Sequence, residues 1–315
     1  MKPAILLIGN NGQVGRELKR LLPQLGEVTS LGRDHLDLSN SEEIRRAIRT
    51  FRPNLIVNAA AYTAVDKAES EPTLARAVNA IAPAVMAEEA KKTGAFLVHY
   101  STDYVFDGTK TSPYAEEDPT NPKNVYGKTK LEGELAIQES GAYNLVFRTE
   151  WVYGTEGRNF LLTILRLATQ REELRIVCDQ TGAPTTSGEI AKATAKILSQ
   201  IFTQGSGSYS QAEVGGIYHM TAGGQTTWFG FTQAILEQAR KIDSGTPWFA
   251  AATNNRPLIV RNIIPIPASE YPTPACRPSY SVLSNERLSH AFSVRLPDWE
   301  IQLHSVFTNL QTDDR

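Results

Sequence analysis

The sequence predicts an α/β protein: a doubly wound parallel sheet with a smaller, irregular C-terminal lobe. Three observations carry this expectation. Short apolar runs alternate with longer amphipathic stretches through residues 1–150. The first run, Ala4 to Ile8, leads straight into a glycine-rich turn, Gly9-Asn-Asn-Gly12-Gln-Val-Gly15. After about Trp151 the alternation loosens. Continuously apolar strands belong to a parallel sheet covered by helices on both faces, and right-handed crossovers wind such a sheet doubly.

Taken in order, residues 5–8 form a buried strand and residues 13–22 a helix with Val14, Leu18, Leu21 and Leu22 on one face. Strands are expected at 27–31, 55–58, 96–101 and 145–148. Helices are expected at 41–50, capped by Ser39 or Ser41, at 73–93 despite Pro83, and over 129–140. The next elements are a helix over 160–169, a strand over 175–177 and helices over 188–201 and 227–241, the last capped by Thr226 or Thr227. Residues 204–214, rich in Gly, Ser and Gln, read as a mobile loop. Residues 264–278 hold five prolines and are expected to be irregular. The expected division is a dinucleotide-binding domain over 1–150, with elements returning to it within about 174–202, and a lobe over most of 151–315.

At 315 residues, 41% hydrophobic and 21% charged, the chain has the composition of a packed globule. A net charge of −2 gives no electrostatic reason to expect nucleic acid. Cys178 and Cys276 form no disulfide framework or metal-ligand spacing and read as buried thiols. No apolar run reaches membrane-spanning length, and a strand starting so near Met1 leaves no room for a signal peptide, so a cytoplasmic protein is expected.

A strand, a glycine-rich turn and a helix together present backbone N–H groups to a pyrophosphate. The spacing here is Gly-x-x-Gly-x-x-Gly, and a plain tight turn is the bland alternative. At the end of the second strand, an acid selects NAD and an arginine accommodates a 2′-phosphate. Arg33 stands there, which tilts the expectation to NADPH; a solvated surface arginine is an equal reading, and NADH stays open.

Tyr126 and Lys130 lie one helical turn apart, and of 11 tyrosines only Tyr126 has lysine at +4. An ammonium beside a phenol favours phenolate and lowers its pKa, suiting the tyrosine to give a proton to a carbonyl oxygen as hydride arrives at carbon. Lys130 could also hold a nicotinamide ribose. The polar run Ser101-Thr102-Asp103-Tyr104-Val105-Phe106-Asp107-Gly108 begins where the fourth strand ends, and ligands of open α/β sheets lie beyond such ends. Thr102 could there donate to a substrate carbonyl. An exposed helical pair and a common polar turn are the bland readings of these two features.

These runs, with Asn58-Ala-Ala-Ala-Tyr-Thr-Ala-Val-Asp66, Arg148-Thr-Glu-Trp-Val-Tyr-Gly154, Asp179-Gln-Thr-Gly-Ala-Pro-Thr185 and Tyr271-Pro-Thr-Pro-Ala-Cys-Arg-Pro278, make the chain resemble the extended short-chain dehydrogenase/reductase family, in its sugar-nucleotide branch. The resemblance implies a Rossmann-like sheet with a substrate-binding C-terminal lobe. It implies reduction by NADPH (or NADH) of the C4 ketone of dTDP-4-dehydro-L-rhamnose, giving dTDP-L-rhamnose. Thr102, Tyr126 and Lys130 match the family's catalytic residues, with Thr in place of the commoner Ser. Gly9, Gly12, Gln13, Val14 and Gly15 match the pyrophosphate turn, Asp37 and Leu38 an adenine contact, and Ala61, Tyr62, Thr63 and Tyr100 the cofactor channel. Asp103 and Trp151 match substrate contacts, with Trp151 against the sugar; Asn159 and Arg277 are further candidates, although Arg277 could equally brace the proline-rich loop. Glu17, Glu189 and Glu300 match positions at which some members hold Mg2+ across a homodimer interface, a site other members lack. The alternatives are another nucleotide-sugar epimerase or dehydratase, and a non-catalytic NADP-binding regulatory subunit. Dehydratases of this type carry a second acid where Tyr104 stands, and the intact Thr102, Tyr126 and Lys130 argue against a binding-only role.

Overall fold

The computed structural model describes residues 2–202 and 213–308. Most of the glycine- and serine-rich stretch over 204–214 therefore lies outside the described residues. The chain opens with β1 (Ala4–Ile8), α1 (Gln13–Leu21), β2 (Glu27–Leu31), α2 (Ser41–Phe51) and β3 (Leu55–Asn58). Short helices α3 (Val65–Ala68) and α4 (Pro72–Arg76) lead into α5 (Ala82–Thr93), followed by β4 (Phe96–Thr102), α6 (Val125–Ser140) and β5 (Asn144–Thr149).

These strands join β10 (Gly216–His219) in a parallel sheet of order β10-β5-β4-β3-β1-β2. Alternate residues of each strand feed opposite faces. Ile5, Leu7, Leu55, Val57, Val98 and Phe147 pack with Leu18 of α1. Leu6, Ile8, Ile56, Leu97 and Val146 pack against α2 and α5 through Ile44, Ile48 and Met86. The chain goes from β1 outward to β2, then crosses back to β3 on the other side. That reversal opens a crevice beyond the carboxyl ends of β1 and β3.

Local departures from the sequence reading have physical causes. Helix α2 is capped by Asn40, whose side chain accepts from Glu42 and Glu43 N–H at 3.1 and 3.3 Å. Ser39 cannot serve, because its hydroxyl is bound to Asp37, and Ser41 is already helical. The expected helix over 73–93 is interrupted by a π-helical turn, Ala77–Ile81, just before Pro83. A proline cannot close the regular bond to the carbonyl four residues back, and the widened turn absorbs that defect.

The second half continues with β6 (Val152–Tyr153), α7 (Phe160–Ala168), β7 (Glu173–Val177), β8 (Thr181–Gly182), β9 (Thr185–Thr186) and α8 (Ser187–Phe202). After β10 come β11 (Thr226–Thr227), α9 (Trp228–Ala239), α10 (Pro247–Thr253), β12 (Asn262–Ile266), α11 (Glu286–Phe292) and α12 (Trp299–Thr308). Thr227 caps α9, its hydroxyl accepting from Gly230 N–H at 3.0 Å. Helices α8 and α11 return to the sheet through Ile190, Ile197, Leu288 and Phe292. A separate core gathers Tyr153, Leu161, Ile164, Phe231, Ile235, Trp299 and Leu303. The expectation of irregular structure over 264–278 is corrected at its start, where β12 pairs in parallel with β7. Asn262 N–H donates to Glu172 and the Ile266 carbonyl accepts from Cys178, so alternate residues face β7 and Pro265 lies on the open edge, where a missing N–H is tolerated. Of the two cysteines expected to be buried, Cys276 is exposed and Cys178 only half-buried.

Candidate active site

The glycine turn leaves β1 at Gly9, whose φ of 89° is left-handed and whose added Cβ would fall 2.6 Å from Ala60 N. A Cβ on Gly15 would fall 2.0 Å from the Gly9 carbonyl oxygen. Gly9 and Gly15 are therefore fixed by packing within the protein. Gly12 differs: its φ of −76° is ordinary, and the nearest atom to an added Cβ lies 3.4 Å away. What glycine preserves there is open space over the helix start. Among the described residues no side chain caps α1, and no acid occupies its first turn, so its leading N–H groups remain available to an anion. The Gln13 amide ties this turn to the lobe, reaching Val152 O at 3.5 Å and accepting from Asn159 at 2.8 Å, while Val14 packs into the core.

Around the turn, Arg33 is exposed at the end of β2, and its charge acts on both Asp37 and the Tyr62 phenol. Asp37 accepts from the Ser39 backbone and hydroxyl, each at 2.8 Å, which holds its carboxyl below the ordinary range. Leu38 packs partly into the core, Ala61 is half-buried and Thr63 is exposed. The Asn79 side chain, in the π turn, accepts from Tyr62 N–H at 2.8 Å and donates to Thr129 Oγ1 at 3.2 Å. It thereby pins the β3 exit to the helix that carries Tyr126. The Tyr100 ring points into the core, with its hydroxyl 2.7 Å from Thr194 Oγ1. Tyr100 meets the site through its carbonyl instead.

Helix α6 starts at Asn124, whose side chain caps Gly127 N–H at 2.8 Å and donates to Cys276 O at 2.7 Å. This places Tyr126 in the first turn and Lys130 one turn later, both buried. The Thr102 hydroxyl, at the carboxyl end of β4, acts on the Tyr126 phenol and draws its pKa down, and the Tyr104 ring, two residues further on, meets the Tyr126 ring edge-on with centroids 5.5 Å apart. Lys130 Nζ lies 2.5 Å from Tyr100 O and 3.0 Å from His99 Nε2. The expected lowering of the Tyr126 pKa is not what this site produces: burial pushes the phenol up, against the smaller pull of Thr102. Lys130 is turned toward Tyr100 and His99, and burial pulls its own pKa down to about 8, opposed by the Glu134 charge.

Thr102 Oγ1 donates to Asp103 Oδ1 at 2.9 Å and accepts from Tyr104 N–H at 3.2 Å. Asp103 is buried, and desolvation raises its carboxyl to about 6. Trp151 has a left-handed φ of 44° and stacks on Trp228, with centroids 3.4 Å apart and planes at 6°. Strain of this kind in a non-glycine residue is characteristic of functional positions. Arg277 pairs with Asp66 at 2.8 Å and reaches Ala275 O, so it does brace the proline-rich segment, while its charge also acts on Tyr104. Asn159 is fully engaged: it caps Leu162 N–H and donates to Gln13, Gly154 and Glu156, so it builds the turn and has no donor left over for a ligand. Glu17 and Glu189 pair locally with Arg20 and Lys192, and Glu300 is exposed. Among the described residues, one chain assembles no group of three side chains able to hold a metal.

Sequence reasoning missed Glu150, Trp228, His99 and Asn79. Glu150 stands at a strand's carboxyl end, a position that could have singled it out. The other three carry no local signal.

The family model described as the RmlD substrate binding domain matches residues 1–312. The chain is 50% identical over 296 residues to a dTDP-4-dehydrorhamnose reductase from Burkholderia thailandensis, covering 94% of this chain and 95% of the relative. It is 43% identical to the Escherichia coli K12 enzyme of that name, over 98% of each. A Bacillus anthracis dTDP-4-dehydrorhamnose reductase, solved in complex with NADP, superposes with a TM-score of 0.85 at 31% identity over 98% of this chain and 100% of that one. Matched over almost its whole length, this chain belongs to the RmlD family, the dTDP-4-dehydrorhamnose reductases.

Proposed function

We propose that the protein reduces the C4 ketone of dTDP-4-dehydro-L-rhamnose to the alcohol of dTDP-L-rhamnose, using NADPH. The carrying observation is the burial of Thr102 at the end of β4 and of Tyr126 and Lys130 one turn apart on α6, at the sheet end that also holds an uncapped glycine turn. Family membership supports this substrate over other nucleotide sugars and over a non-catalytic subunit.

The residues fit a dinucleotide. Gln13 and Val14 offer first-turn N–H groups to its pyrophosphate, and Gly12, whose own N–H is bound to the Gly9 carbonyl, leaves room for close approach. Arg33 is placed to favour a 2′-phosphate, Asp37 and Leu38 to border the adenine, and Ala61, Tyr62 and Thr63 to form the channel wall. When bound, the reduced nicotinamide supplies the hydride. Thr102 orients the carbonyl, and the Tyr126 hydroxyl gives its proton to the carbonyl oxygen as charge develops there. Burial keeps Tyr126 protonated before the reaction, which suits a proton donor. Lys130, whose Nζ is held by the Tyr100 carbonyl and His99, serves to hold the ribose. Asp103, Trp151 and Arg277 contact the sugar nucleotide, and residues 151–315 supply most of its binding lobe.

A homodimer belongs to this reading. Glu17, Glu189 and Glu300 sit on α1, α8 and α12; α1 and α8 share one core, and Gln302 of α12 bonds Thr186 beside the start of α8. A second copy would be needed to complete a Mg2+ site there. The test of function is incubation with NADPH and dTDP-4-dehydro-L-rhamnose, following cofactor absorbance and product, then repetition with NADH. Failure to form dTDP-L-rhamnose with either cofactor refutes the proposal.

A further inference from the structure

The segment over 275–279 carries Arg277 and is fastened to the sheet domain at three places. Asp66, on α3, accepts from Ala275 N–H at 3.3 Å and from Arg277 Nη2 at 2.8 Å. The Ser279 hydroxyl donates to Gly108 O, beyond the end of β4, at 2.9 Å. Between these two, the Asn124 amide donates to Cys276 O at 2.7 Å. This third fastening differs from the others, because Asn124 is also the cap of α6, its Oδ1 accepting from Gly127 N–H at 2.8 Å. Asn124 is 3% exposed, so water is a poor substitute for either partner.

The two partners fix the orientation of the amide. A backbone N–H on one side needs the oxygen, and a carbonyl on the other needs the nitrogen. Aspartate or serine would cap α6 equally well, but neither carries a second, separate donor, and the Cys276 carbonyl would be left unpaired. Both ends of this bridge lead to groups the reaction uses. Tyr126 lies in the first turn of the helix that the amide caps. Arg277 follows Cys276 directly, and its charge reaches Tyr104, whose ring meets the Tyr126 ring edge-on with centroids 5.5 Å apart. The start of α6 is itself pressed against Tyr104: an added Cβ on Gly127 would fall 2.2 Å from the Tyr104 carbonyl oxygen. A shift of the 275–279 segment against α6 therefore changes the span between guanidinium and phenol, and a misplacement of about 1 Å can cost about 10²-fold in rate.

We infer that Asn124 is a positioning residue: its one amide sets the register of Arg277, and hence of the bound sugar nucleotide, against the Tyr126 hydroxyl. This rests on the reductase reading above. Asn124→Asp keeps the cap and loses the donor. Its melting temperature and NADPH affinity are expected to match wild type, while KM for dTDP-4-dehydro-L-rhamnose rises and kcat falls. The buried carbonyl left unpaired lowers kcat/KM by about 5- to 150-fold. Asn124→Ser also keeps a cap, adds no charge and is expected to show the same pattern; should Asn124→Asp fail to fold, it decides alone. Wild-type kcat/KM in Asn124→Ser, or a raised KM with wild-type kcat, overturns this role and leaves the reductase reading intact. So does a kinetic loss matched by losses of melting temperature and NADPH affinity, which is the mark of a helix cap alone. A wild type that reduces no ketone overturns both.

Discussion

Replacing Gly12 with alanine separates a turn kept for packing from a turn kept for a ligand. The φ of −76° and ψ of 166° at Gly12 suit any L-residue, and the added Cβ comes no nearer than 3.4 Å to another atom. Folding stability should therefore change by no more than about 1 kcal/mol, the modest loss at a helix cap being offset by a stiffer unfolded chain. The methyl group would occupy the space through which a pyrophosphate approaches the α1 amides. Loss of one hydrogen bond to a charged group costs about 1.5–3 kcal/mol, or roughly 10- to 150-fold in affinity. Gly15→Ala is the contrasting variant, since its Cβ would sit 2.0 Å from the Gly9 carbonyl oxygen. Overpacking there should destabilise the fold by about 1–3 kcal/mol. The assay pairs calorimetric titration with NADPH and thermal melting of each variant. Wild-type NADPH affinity in Gly12→Ala would refute the placement of the pyrophosphate, as would a loss of affinity matched by a loss of stability.

Tyr126→Phe should lower kcat by about 10²- to 10⁴-fold while NADPH affinity changes little, and normal turnover would remove Tyr126 as the proton donor. Trp228→Leu removes the ring stacked on Trp151, an interaction worth about 0.5–1.5 kcal/mol. The KM for the sugar nucleotide should rise more than kcat falls, and an unchanged KM would show that the stack does not hold the sugar. Lys130 has its pKa lowered to about 8 from an ordinary 10.5, so between those values the unfolded chain binds the extra proton and wild-type stability rises with pH. Lys130→Met should flatten that rise, and denaturant titrations across the window showing parallel curves would contradict the burial argument.

The sheet was legible because its strands are unbroken apolar runs and its helices carry apolar faces at helical spacing. The glycine turn and the spacing of Tyr126 and Lys130 were legible because their geometry is local. What escaped reading depends on distant partners or on burial. Glu150 gains its environment from Ser281 and Leu283, more than 130 residues away. Trp151 meets Trp228 only after the lobe folds back. The upward shift of Tyr126 reflects burial, which no four-residue spacing encodes. Asn40 displaced two plausible serine caps because Asp37 had already engaged Ser39. Pro265 fits a strand because that strand has an open edge.

The most direct test of the account follows the transferred hydrogen. The protein would be incubated with dTDP-4-dehydro-L-rhamnose and NADPH carrying deuterium at the transferable nicotinamide position, and the sugar product examined by NMR. Deuterium bonded to C4 of dTDP-L-rhamnose is the predicted result. Label retained in the nicotinamide, or found at another sugar carbon, would contradict reduction at a carbonyl held by Thr102 and Tyr126.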